Sequence, residues 1–153
     1  MFPRLLFLST LLVASVSCAF GVELEPILEE FGCDLMGEVG EYGWVIRDQE
    51  SLNETCLFAQ FPQGKPDNPY VKIQGRNITL KRISVKNLPG HWETEEVFVN
   101  RGAKLTVRLK SRLSHDSCVE VEDKCCGQEY EGRLEVSDSS GRKVYKVTRW
   151  SGS

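Results

Sequence analysis

Apolar and polar residues alternate along Lys104-Leu105-Thr106-Val107-Arg108-Leu109-Lys110, and this period of two constrains the fold more than any other feature of the sequence. Leu105, Val107 and Leu109 must share one face while their four polar neighbours share the other, as a half-buried strand requires. Shorter stretches of the same kind predict strands over 42–46, 56–61, 70–74, 78–85, 97–99, 118–121, 133–136 and 143–148. Turn chemistry separates them. The run 62–69 carries too many prolines to enter a ladder, Leu88-Pro89-Gly90 fits a type II turn, and Asp138-Ser139-Ser140-Gly141 can close a hairpin. Many short strands in series point to a mainly β fold, a small antiparallel sandwich or barrel.

One segment breaks the pattern. Over residues 23–32, Leu24, Ile27, Leu28 and Phe31 recur at the spacing of a single helical face. Pro26 would fall in the first turn, acids crowd the N-terminal end where the helix dipole favours them, and Gly32 could close the last turn. The expectation is one short N-terminal helix docked on the β domain, because fewer than three turns are not stable alone.

Residues 1–19 have the form of a secretory signal peptide. Arg4 precedes a short apolar run, and the small residues of Ser17-Cys18-Ala19 form a cleavage pattern. A bacterial lipoprotein box at 15–18 is a weaker match, since Ser15 stands where that pattern wants a leucine-like residue. Cleavage after Ala19 leaves a single secreted domain over residues 20–153, long enough to bury a modest core. Its longest apolar clusters fall far short of the roughly 20 residues a membrane helix needs, so no membrane span is expected.

Secretion implies an oxidising compartment in which thiols pair, so the fold is expected to be disulfide-stabilised. Cys33, Cys56, Cys118, Cys125 and Cys126 remain after cleavage, and an odd number leaves one over. A bridge between the neighbours Cys125 and Cys126 would strain the peptide between them. Spacing favours Cys33 with Cys56, and Cys118 with Cys125 or Cys126; the leftover thiol is either buried or links two chains into a homodimer. Asn53-Glu54-Thr55 and Asn77-Ile78-Thr79 are N-glycosylation sequons that secretion makes meaningful in a eukaryote.

Charge comes in blocks. Residues 20–70 hold 11 acids and 2 bases, 71–112 hold 10 bases and 3 acids, and 113–153 hold 8 acids and 6 bases. The overall acidic balance gives nucleic-acid binding no support, while the central block could present a basic face to an anionic partner or simply neutralise its acidic neighbours.

Catalytic signals are weak. The two histidines, His91 and His115, lie in no nucleophile context, and the three consecutive residues His115-Asp116-Ser117 cannot converge as a triad must. Cys118-x6-Cys125-Cys126 lacks the paired knuckles of zinc sites, and Glu120 and Glu122 read as the outer side of a strand rather than as calcium ligands. No catalytic residue, metal site or cofactor is therefore assigned.

The strongest constellation is the outer side of the clearest strand, where Lys104, Arg108 and Lys110 project together, with Trp92 after a Pro-Gly turn as a stacking candidate. Lysines on an outer strand also guard against edge-to-edge pairing, which competes with the binding reading. The function expected is a secreted, non-catalytic module that binds an extracellular protein or a sulfated glycan. The alternatives are a protease inhibitor presenting the 62–69 or 88–92 loop, and a small secreted hydrolase using a histidine.

Overall fold

A computed structural model describes residues 22–27, 43–47, 54–60, 68–116 and 127–152. Among these the chain is all β. Nine strands are present: β1 (Gly43–Arg47), β2 (Glu54–Ala59), β3 (Tyr70–Ile73), β4 (Arg76–Thr79), β5 (Lys81–Asn87), β6 (Thr94–Asn100), β7 (Leu105–Asp116), β8 (Gly127–Asp138) and β9 (Gly141–Gly152). They form one antiparallel sheet in the order β4-β3-β2-β1-β9-β8-β7-β6-β5. Its two outermost strands, β4 and β5, are joined by the single residue Leu80, so one bent run of chain pairs with β3 at its start and with β6 at its end. The sheet thus curls into a nearly closed up-and-down barrel.

Turn residues act as the sequence implies. Gly90 adopts φ 99°, the left-handed backbone that a type II turn needs. At the β8–β9 turn, Asp138 Oδ1 accepts from the Ser140 amide (2.7 Å), the Ser140 hydroxyl (2.5 Å) and the Gly141 amide (3.3 Å). The Ser140 hydroxyl bond, with the two amides behind it, holds the Asp138 carboxyl below its ordinary range.

The barrel interior is filled by side chains. Trp44, Phe58, Val71, Leu80, Phe98, Val107, Leu109, Leu134 and Val136 are all fully buried. Phe58 and Phe98 meet edge to face at 5.1 Å, although they stand on β2 and β6, separated by β3 and the bent strand. Contact between opposite walls leaves no open lumen at that level. Higher up the interior is polar: Trp44 Nε1 donates to Gln60 Oε1 (3.0 Å), Gln60 Nε2 donates to both oxygens of Glu96 (3.2 and 3.1 Å), and Arg82 bonds Glu96 Oε2 (3.1 Å).

Residues 22–27 depart from expectation. Where the apolar spacing predicts helix, the segment runs extended; residues 28–32 lie outside the described residues. The Glu25 amide donates to the Lys72 carbonyl (2.8 Å) and the Ile27 amide to the Cys56 carbonyl (2.9 Å), so the segment lies between β3 and β2 where those strands part. Leu24 enters the main core while Ile27 joins a second cluster with Val45, Cys56 and Ala59. A helix would have kept both on one side; burying them in two clusters while satisfying two amides favours the extended form.

Candidate binding surface

Register fixes which side chains share the outer face. Across the sheet, Lys86 stands opposite Glu95, Glu95 opposite Lys110, Lys110 opposite Arg133, and Arg133 opposite Lys146. These five residues form one lateral row over β5, β6, β7, β8 and β9. At about 4.8 Å per strand the row spans roughly 19 Å. It contains four cations and one carboxylate.

Neighbouring rows are balanced. On one side Arg112 faces Glu131, and the two side chains pair directly. On the other, Arg108 stands opposite Glu135, which is also 3.6 Å from Arg142. Glu95 sits beneath the cations with its side chain only 11% exposed, 3.6 Å from Arg108 and 3.7 Å from Lys110. One nearly buried carboxylate thus holds one guanidinium and one ammonium stem upright. Among the described residues, Lys86, Arg133 and Lys146 have no carboxylate partner, and all three are exposed.

The residues singled out in the sequence fall in different places. Arg108 and Lys110 do project together from the outer face of β7. Lys104 does not join them. It occupies the β6–β7 turn with φ 51°, a left-handed backbone that removes it from the alternation, so β7 begins at Leu105. Trp92 lies in the β5–β6 connection, half-buried, edge-on to His91 at 4.9 Å. It is Trp150, not Trp92, that presents a broad exposed ring: 48% exposed on β9, packed over Gly127, where any Cβ would meet its indole at 2.4 Å.

Reasoning on sequence missed Arg133 and Lys146, and left the exposure of Trp150 open. Arg133 precedes Leu134 and Lys146 lies between Tyr145 and Val147, an alternation that marks the outer face, but placing them beside Lys110 needs the register. His91 lies on the outer side, 3.7 Å from Glu131. His115 stands opposite Glu129.

Asn77 is exposed on β4, while Asn53 lies outside the described residues. Cys56 is buried on β2. Cys33, Cys118, Cys125 and Cys126 lie outside the described residues, as do residues 1–21 and 61–67. Among the described residues no group of three or more His, Cys, Asp or Glu side chains is placed to hold a metal, and no helix is long and apolar enough to cross a membrane. Comparison of the chain with protein-family models, with curated proteins and with solved structures returns no match.

Proposed function

We propose that this chain is a secreted, non-catalytic binding barrel whose outer face recognises an anionic partner, a sulfated glycan, through the row Lys86, Lys110, Arg133 and Lys146. The alignment of four cations across five strands is the observation that carries the reading. A row of fixed positive charge set between balanced rows attracts a linear polyanion laid across the strands, and the rigid sheet makes the spacing independent of loop motion. Counting β4 and β5 as one bent strand, the barrel has eight walls, and the contact of Phe58 with Phe98 fills the middle of its interior, which supports an exterior site over a carrier role. Trp150, on the same strand and face as Lys146, supplies a ring on which a sugar can stack.

The setting follows from the sequence. The signal-peptide pattern over 1–19 supports export, the odd set of cysteines supports disulfide stabilisation, and the sequons at Asn53 and Asn77 support a glycoprotein if the source is eukaryotic.

Retention on a heparin column tests the reading. The Lys110→Ala, Arg133→Ala, Lys146→Ala triple variant should elute at markedly lower salt than wild type, because exposed charges act over a Debye length of about 8 Å at physiological ionic strength. Arg76→Ala, Arg101→Ala, Lys104→Ala removes the same charge from the start of β4 and the β6–β7 turn and should elute close to wild type. Equal elution of the two triples, or passage of the wild type without retention, overturns the reading.

A further inference from the structure

Among the described residues, β5 has an unpaired side. β4 pairs with β3 up to Tyr70, and the Leu80 amide still reaches the Pro69 carbonyl (2.7 Å). Beyond that point the ladder has no continuation among the described residues, because β3 begins only at Tyr70. The sequence ahead of it carries prolines at 62, 66 and 69, which lack the N–H groups a ladder needs. β5 therefore pairs with β6 on one side and ends the sheet order on the other.

That edge is both apolar and charged. Ile83 and Val85 are 56% and 55% exposed, the most exposed large apolar residues of the described chain. Every other residue of β5 except Ser84 is exposed as well. The strand holds three cations, Lys81, Arg82 and Lys86, and no acid. Lone exposed apolar residues need no explanation, but two β-branched side chains on a free edge are the features by which an added strand gains contact.

We propose that the edge of β5 accepts an extended, acidic peptide segment of a protein partner as an additional strand. Main-chain hydrogen bonds to the unpaired edge supply the affinity, and β-branched residues of the peptide pack on Ile83 and Val85. Carboxylates on the peptide meet Lys81 and Lys86, whose charges no described residue neutralises.

Charge also selects against the obvious competitor, a second copy of the chain. Antiparallel pairing of β5 with itself brings the cations of two strands that hold no acid onto one seam, which like-charge repulsion disfavours. The register shift between Arg82 and Ser84 adds a local twist that further hinders flat self-pairing. The cations that deter another copy are the ones that favour an acidic strand.

A fluorescent peptide of alternating glutamate and valine, titrated into the full-length secreted protein, tests this by anisotropy together with amide exchange across β5. Binding should slow exchange at residues 82–86, fall at least tenfold for Ile83→Asp combined with Val85→Asp, and vanish for the same peptide N-methylated at alternate amides. Circular dichroism of the variant checks that it folds, which the exposure of both sites favours; the exchange measurement on wild type stands without it. Several results overturn the proposal: unchanged β5 exchange at millimolar peptide, equal binding of the N-methylated peptide or of a lysine–valine peptide, protection of the same amides by a heparin fragment instead, or protection that appears with protein concentration alone and so reports a second copy.

Discussion

A methyl group at position 132 would sit 2.8 Å from Trp44 Cζ3, 3.1 Å from Val147 Cγ2 and 3.2 Å from Leu109 Cδ1. Gly132 is thus the notch on β8 into which the Trp44 ring fits, and the ring is further fixed by its bond to Gln60. Neither Val147 nor Leu109 can retreat from a fully packed interior. Gly132→Ala should therefore destabilise the protein by about 1–3 kcal/mol, the usual cost of forcing extra volume into a tight core. Chemical denaturation monitored by tryptophan emission measures it. An unchanged midpoint would mean that the ring moves aside freely, in conflict with its buried position.

Leu24 ties the N-terminal segment to the barrel by side chain and backbone together: it is 5% exposed in the main core, and its amide donates to the Tyr145 hydroxyl (2.9 Å). Leu24→Ala keeps the amide bond and removes the packing, at a cost of about 2–5 kcal/mol if the site does not collapse. Exchange should quicken at the Glu25 and Ile27 amides before it does in β7, which separates loss of this element from loss of the whole fold. The same segment shows what a sequence can hide. Most strands were legible because alternation records a half-buried sheet directly, and turn residues marked their ends. Leu24 and Ile27 misled because a three-residue spacing is compatible with one helical face and equally with two clusters on either side of a wall. Lys104 misled because the step from turn to strand depends on one left-handed φ that no side-chain pattern reports. The cationic row was half-legible. Alternation assigns Arg133 and Lys146 to an outer face, but only the register of three consecutive hairpins sets them beside Lys110.

Closure of the ring rests on unequal seams. β8 and β9 are paired from Gly127↔Gly152 to Asp138↔Gly141, whereas β1 and β9 share the single register pair Val45↔Thr148. Side chains supplement that thin ladder. The Arg149 guanidinium on β9 lies 4.9 Å from the ring of Trp44 on β1 and 4.9 Å from the ring of Tyr130 on β8, a flat cation sandwiched across the seam. Lysine cannot reproduce that stacking, so Arg149→Lys should speed amide exchange in β1 while leaving β7 and β8 nearly unchanged. Uniform acceleration throughout the barrel would show instead that the seam opens only with global unfolding. The order of the strands has a further consequence, for the path by which the chain reaches this state. Because chain neighbours are sheet neighbours at every ladder except β1–β9, each hairpin can form after closing only a short loop, and the entropy of bringing distant residues together is deferred to one event. Docking β1 against β9 joins residues about a hundred positions apart, as Val45 and Thr148 show. Folding is then a succession of fast local steps ending in one slow ring closure, with a rate set more by that last encounter than by any of the preceding hairpins.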